Sequence, residues 1–491
     1  MQASKYSASE VRLTVLSHAC LYIEFGDTRL LVDPWIVGSC YWRSWWNYPE
    51  VDDSLVDALD PTHIYITHLH WDHYHGPSLR LFEKRNPVIL LPKAATSRMK
   101  SDMDQDFKFS KIIEVKHARP FCLGRDFEIC SYQFNPWIID SSLVISVGGV
   151  SIFNANDSKV FGLSLSQIIQ NHAPFDFVLR SHSSAVQIPY CIDSSGPVSV
   201  PGRPPVQYAK EFSKFCLKTG ARYAIPFASS HVCLRPESLP FNCSYNSPGD
   251  LKCYYESLGR NGMNQQCVLM PAGSTWSSEI GFSIRPHDYA DIDTHIKHML
   301  DEHSVSLGST LARELRAKPN DAAFRKYFRN FLSSLVGVPG LGFRFGFLVT
   351  SDFNAGSGGF LAVVDLARRD VTTFGQVERQ SEYQIIADQE LSFLLKVPVV
   401  VFNDCNQRSM YNVWGPSKLV RIFLPSKRDL GRYQKFCWLI DLYENDGLPL
   451  WNLLSPRQFA NRLSRWREVV DALGFLFKTK LRGKPVDAIW D

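Results

Sequence analysis

Apolar and polar positions alternate with a period of two over the first part of the chain. "VRLTVLS" and "CLYIEF" read as strands, and "GDT" turns the chain into a third, "RLLVD". "DALDP" reads as a helix end and "THIYIT" as a buried strand. Residues 78–87 read as helical and "VILLP" as a strand. Strand patterns then continue as a meander through 107–118, 127–134, 141–149 and 150–157. Beyond them the period changes. Helix 163–173, strand 174–182, helix 209–220 (closed by Gly220) and strand 221–231 follow, with a Pro-, Gly- and Ser-rich loop over 193–208. Strands with helices between and after them predict a layered α/β domain.

The pattern shifts near residue 285. Residues 289–317 are polar and helical, 324–336 form an amphipathic helix, 343–374 read as a pair of strands around "GSGG", and 456–477 are helical. This predicts a first domain over 1–285 that carries the chemistry and a smaller α/β accessory domain over 286–491. His287, His295, His298 and His303 fall on or beside the polar helical stretch and read as a solvated face.

Composition narrows the function. A net charge of +4 over 491 residues gives no electrostatic footprint for nucleic acid. No apolar run reaches the roughly 20 residues of a membrane span, and the first residues have no apolar leader, so the chain reads as soluble and cytoplasmic. The twelve cysteines form no C-x-x-C or C-x-H pair, which leaves no Rieske-type cluster motif and predicts reduced thiols.

The chemistry concentrates in "ITHLHWDHYHG", residues 66–76. His68 and His70 alternate on an extended segment and can face one side. Asp72 and His73 follow in a tight turn. Imidazoles with a carboxylate among them, at the carboxyl end of an apolar strand, point to a metal site.

H-x-H-x-D-H in this context resembles the metallo-β-lactamase superfamily, which implies an αββα sandwich with a metal site at one sheet edge. The resemblance implies that His68 and His70 hold one metal, that Asp72 and His73 hold a second, and that a later strand-end Asp bridges them. "VSIFNAND" places Asp157 there. "LSHACLYIEFGDTRLLVDPWIVGSCYWRSWWNYPEV" is similar to the CMP-N-acetylneuraminate hydroxylase family, in which a like run precedes the histidine motif. By that likeness His18 and Asp33 orient ligands, with His75 beside them. His231, after a late strand, is the last ligand, and His182 is a pocket residue. In a hydrolase reading Asp72 doubles as a proton acceptor.

Two departures bear on the reaction. The family carries a Rieske domain that this sequence lacks, so an oxidative reaction would draw electrons from a separate protein. The superfamily also places a His 20–30 residues before the bridging Asp. Here "CSYQFNPWIIDSSLVI" has none; Asn135 falls at the expected position, with Asp140 nearby and His117 upstream. Loss of a His in favour of oxygen donors favours iron, with zinc or manganese as alternatives. The aromatic loop 40–50 reads as a wall over the cleft, with Arg43, Trp45 and Trp46 facing a small-molecule substrate. The expectation is therefore a metalloenzyme with two divalent ions. A non-haem di-iron oxygenase acting on a small polar metabolite stands ahead of a hydrolase using metal-bound hydroxide on a phosphoester, lactone or amide. A non-catalytic binding module is the third reading.

Overall fold

The structure is a computed structural model that describes residues 10–94, 98–133, 140–158, 160–183, 190–200, 202–259, 265–351, 358–378, 380–411 and 419–476. Two sheets face one another. The first has eight strands in the spatial order Gly281–Ser283, Thr275–Ser277, Arg12–Val15, Leu21–Phe25, Thr28–Val32, His63–Tyr65, Val88–Pro92 and Ile112–Val115. Its hairpin-linked members are antiparallel, and the run from Thr28–Val32 to Ile112–Val115 is parallel. The second has seven: Gln266–Cys267, Tyr223–Phe227, Phe177–Ser181, Val150–Asn156, Ser141–Val147, Phe127–Gln133 and Pro120–Gly124.

Period-two patterning explains the layering. Leu13, Ile23, Leu30 and Leu90 meet Ile129, Leu143, Ile152 and Ile225 between the sheets. The outward positions Ile64, Ile89 and Leu91 are covered by helix Arg98–Asp106 through Met99 and Met103. Phe153, Val178 and Ala224 are covered by helices Gly162–His172, Pro205–Thr219 and Pro248–Ser257. The result is the αββα sandwich. Strands Phe127–Gln133, Val150–Asn156, Phe177–Ser181 and Tyr223–Phe227 all end at one edge, because the first runs antiparallel to Ser141–Val147, which runs antiparallel to the second.

Some local expectations change. Residues 78–87 are not one helix: Gly76–Arg80 makes a short helix and turns follow. The aromatic loop is not irregular throughout. Trp45–Asn47 pairs with Ser39–Cys40 on one side and His231–Cys233 on the other as a three-stranded ribbon. The strands flanking "GSGG" sit in a five-stranded sheet ordered Asp370–Gln376, Phe360–Asp365, Arg344–Thr350, Phe393–Pro398 and Arg421–Phe423. Part of that turn, residues 352–357, lies outside the described residues.

Helices Asp321–Ser334, Val399–Arg408 and Lys427–Glu444 pack on this sheet through Phe324, Phe328, Phe402 and Phe436. Trp35, Tyr41 and Trp45 of the first unit belong to the same apolar cluster. Helix Ile292–Glu314 is not simply solvated. Ile296, Met299 and Leu307 pack on Trp46, Tyr48 and Val232. His303 stacks on Trp46 at 4.0 Å between ring centroids, and His287 and His295 lie edge-on to Tyr48; His298 is exposed. Tertiary stacking on aromatic rings overrides the polar periodicity there. Among the described residues no helix is long and apolar enough to cross a membrane.

The last helix, Trp466–Leu476, returns to the sandwich. Helix Gly162–His172 has Phe161 at its N-cap, which supplies no side-chain acceptor. Asp471 does so instead, accepting from the Leu163 and Ser164 amides at 2.9 and 2.8 Å and from Ser164 Oγ at 2.6 Å. Removing a capping acceptor costs about 1 kcal/mol. Asp471→Ala should therefore lower the thermal midpoint of the full chain. An unchanged midpoint would show that the two helices are not joined by this cap.

Candidate metal centre

The site grows from one buried carboxylate. Asp33 ends strand Thr28–Val32 in the left-handed region (φ 47°) and is fully buried. Its Oδ1 accepts from the Thr67 amide at 2.7 Å, and its Oδ2 accepts from Thr67 Oγ1 at 2.7 Å. His73 Nδ1 also lies 2.8 Å from Oδ2. Because Thr67 Oγ1 donates to Asp33, it accepts from His68 Nδ1 at 2.9 Å. Both imidazoles are thereby held with Nδ1 protonated and Nε2 turned inward, as metal-ligating histidines are held by carboxylate or hydroxyl partners.

Inside this frame the donors converge. His68 Nε2 lies 2.9 Å from His70 Nδ1 and 3.8 Å from Asp157 Oδ2. His73 Nε2 lies 3.4 Å from Asp72 Oδ2 and 3.6 Å from Asp157 Oδ1. His18 Nε2 lies 3.1 Å from Asp72 Oδ2. Among the described residues two three-donor groups form here, the buried His18–Asp72–His73 and His68–His73–Asp157 with Asp157 half-buried, and they share His73.

Electrostatics support a cation. Burial pushes the Asp72 and Asp157 carboxyls up, but His73 and His18 hold Asp72, and His68 and His73 hold Asp157, below the usual range. Burial lowers the His73 pKa, yet Asp33, Asp157 and Asp72 outweigh it and carry it well above its ordinary value. Burial, reinforced by His73, lowers His68 to about 4. His73 Nε2 is buried without a hydrogen-bond partner, between two carboxylate oxygens too distant to bond it directly. A cation among them would satisfy all three, so the residues present fit divalent metal.

Asp157 is placed by its strand. Asn156 takes φ 40°, which asparagine tolerates, and the register with Phe177–Ser181 shifts between Asn154 and Asn156. Asn156 Nδ2 donates to the Ser141 carbonyl at 3.1 Å, and its Oδ1 accepts from the Ser158 amide at 2.8 Å. Arg180 Nη1 donates to the Ser158 carbonyl at 3.0 Å from a buried position. The turn that presents Asp157 is thus held on both sides.

The remaining expected residues divide. His18, expected behind the ligands, faces Asp72 directly and belongs to a donor group. His75 does not approach the donors: its Nδ1 accepts from Ser78 Oγ at 2.8 Å and its Nε2 donates to the Ser39 carbonyl at 3.3 Å, which fastens the aromatic loop to helix Gly76–Arg80. His231 is in neither donor group. It stacks on Trp45 at 3.6 Å and stands 5.3 Å from the His18 ring. His182 is buried, and burial with His18 nearby lowers it to about 4. His117 is taken up elsewhere, 2.8 Å from Glu468 and accepting from the Gln133 amide at 3.0 Å. Asn135 lies outside the described residues.

Tyr41 was not foreseen. It donates to Asp72 Oδ1 at 2.5 Å, and burial together with the Asp72 charge keeps its phenol protonated. Tyr41, Trp42 and Arg43 all adopt left-handed backbone, with φ 49°, 54° and 63°. Trp42 Nε1 donates to Asp404 Oδ2 at 2.7 Å. Beside them lies a cleft of about 1020 Å³ lined by Arg43, Trp46, Trp71, Arg80 and Arg408 among others. Trp45 is not on this cleft. It is fully buried beneath it, against His231 and Tyr41.

Residues 12–162 match the family model of a beta-lactamase superfamily domain. A putative Rieske 2Fe-2S iron-sulfur protein of Mycolicibacterium smegmatis is 26% identical over 286 residues, 54% of this chain and 53% of that protein. A cytidine monophosphate-N-acetylneuraminic acid hydroxylase of Asterias rubens is 40% identical over 128 residues, 24% of this chain and 20% of that protein. The chain spans about half the length of the first of these relatives and less of the second. CmlA, a diiron beta-hydroxylase from Streptomyces venezuelae, aligns at 16% identity with a TM-score of 0.39, covering 56% of this chain and 55% of that one; a likeness at this level carries no functional argument.

Two outcomes follow from this geometry. Thr67→Ala removes the hydroxyl that links His68 to Asp33 and should weaken metal binding by about 10–100-fold, measured by chelator competition. Thr67→Ser should restore it, and equal affinity in all three proteins would refute the orienting role. The second outcome concerns acid. His75 and His182 are held at about 4 by burial, against 6.5 when unfolded. The unfolded chain binds their protons first, so stability present above pH 6.5 is lost as pH falls towards 4, by up to about 3 kcal/mol each. Denaturant midpoints across that window should fall; a flat profile down to pH 4.5 would contradict it.

Proposed function

We propose that the metallo-β-lactamase fold domain of this chain, a metal-dependent enzyme by its fold and donor set, is a non-haem iron oxygenase. It would hold two ions and hydroxylate a small polar metabolite. The observation that carries this reading is the donor set: His18, His68, His70 and His73 with two ionised carboxylates, Asp72 and Asp157, and, among the described residues, no thiolate. Mixed imidazole and carboxylate donors suit iron. The 40%-identical relative named as a hydroxylase supports the same reaction class.

Bound iron would supply the reduction of O2. Hydroxylation of a C–H bond by O2 consumes two further electrons and two protons and leaves one water. The electrons would come from a separate electron-transfer protein. Within the chain, Asp72 would serve as a ligand, its carboxylate held ionised beside His73 and His18, with Tyr41 donating to its other oxygen. His182, buried and neutral, would serve as a pocket residue. The cleft beyond the histidine loop would seat the substrate. Arg43, Arg80 and Arg408 offer guanidinium groups to an anionic portion, and Trp46 and Trp71 a flat apolar wall.

Metal analysis and Mössbauer spectroscopy on the full chain, purified without added metal, test the reading. About two iron atoms per chain that respond to reduction and O2 are expected, with loss of metal in His70→Ala and Asp157→Ala. Zinc alone, without a redox response, would replace the oxygenase with a metal-dependent hydrolase. A chain that holds no metal would leave a binding module.

A further inference from the structure

The second sheet brings one more side chain to the metal-bearing edge. Along strand Phe127–Gln133, Phe127 and Ile129 pack between the sheets, whereas Cys130 and Tyr132 pack under the outer helices. Period two therefore turns Ser131 and Gln133 inward. Ser131 Oγ accepts from Tyr65 Oη at 2.7 Å. Ser141, the cross-strand partner of Gln133, donates from Oγ to the Thr67 carbonyl at 2.9 Å and accepts at its own carbonyl from Asn156 Nδ2 at 3.1 Å. Gln133 thus pairs with the residue that bonds both Thr67, which precedes His68, and Asn156, which precedes Asp157.

Its side chain is unexplained by packing. Gln133 is 1% exposed, and among the described residues neither Oε1 nor Nε2 has a hydrogen-bond partner. Its main-chain amide is satisfied separately by His117 Nδ1. An unpaired buried polar group costs about 1–3 kcal/mol, and such groups are rare without a reason. Buried beside a cation site, the amide oxygen has an available partner.

We infer that Gln133 Oε1 is a ligand to the ion of the His68–His73–Asp157 group. The inference rests on the metal-centre reading above. It gives that ion a neutral oxygen donor where Asn135 was expected, and an amide oxygen is harder than imidazole, which tilts the site towards iron or manganese.

The test uses the full chain and Co²⁺ or Zn²⁺ alone, with chelator competition and the visible spectrum of the Co²⁺ form. Gln133→Met keeps the side-chain volume and removes the donor. It should weaken one of the bound ions by about ten-fold or more and alter the Co²⁺ spectrum. The metal-free variant should melt no lower than the wild type, because an unpaired buried amide has been removed. Gln133→His should recover affinity with a shifted spectrum. Unchanged affinity and spectrum in Gln133→Met would overturn the assignment, as would a loss confined to Asn135→Ala. Failure of the wild type to bind Co²⁺ or Zn²⁺ would instead overturn the metal centre itself.

Discussion

Charge burial is the constraint around which this molecule is organised. Asp33 and Asp72 are inaccessible, and Asp157 is 17% exposed. Ionised carboxylates at such depth need partners of opposite charge and filled lone pairs. Asp33 is filled by Thr67 and His73. That arrangement does more than stabilise Asp33, because it dictates which nitrogen of His68 and of His73 faces inward. Asp72 accepts from Tyr41 on one oxygen, and its other oxygen lies 3.1 Å from His18 and 3.4 Å from His73, open towards the space they share. What is left over is a set of lone pairs pointing at common space.

The outer architecture serves that space. Strand ends of both sheets arrive at one edge, and the polar inward positions Ser131, Ser141, Asn154 and Asn156 replace the apolar ones as each strand nears it. The interior changes from hydrocarbon to hydrogen-bonding floor within one or two residues per strand. The aromatic loop and its cluster with Phe324, Phe345 and Phe393 close the other side. The walls around the site are therefore drawn from both the sandwich and the C-terminal residues.

Much of this was legible in the sequence, for identifiable reasons. The hairpin strands have strict alternation, and H-x-H-x-D-H is rare enough to mark a ligand cluster on its own. Asp157 was expected at the end of its strand once that cluster was placed, and it lies 3.8 Å from His68 and 3.6 Å from His73. Other features depend on contacts far apart in sequence. The ribbon in the aromatic loop pairs with residues 231–233, some distance along the chain, and aromatic residues show no alternation to announce it. His18 looks like a hairpin-end residue until folding sets it against Asp72. His287, His295 and His303 sit in a polar run, and only the position of Tyr48 and Trp46 shows why they are there. Gln133 escaped notice because glutamine is seldom considered a ligand and its neighbours are ordinary strand residues.

The turn at Tyr41, Trp42 and Arg43 has a consequence of another kind. Left-handed backbone costs an L-residue about 1–2 kcal/mol, and glycine would remove that cost. The turn instead carries two bulky aromatics, one hydrogen-bonded to Asp72 in the histidine motif and the other to Asp404 in helix Val399–Arg408. Neither aromatic can be exchanged freely while its carboxylate partner stays, nor can either carboxylate be lost while the turn stays. Tyr41, Trp42, Asp72 and Asp404 thus form one mechanical linkage, through which a change in helix Val399–Arg408 reaches the histidine motif by way of three consecutive left-handed residues.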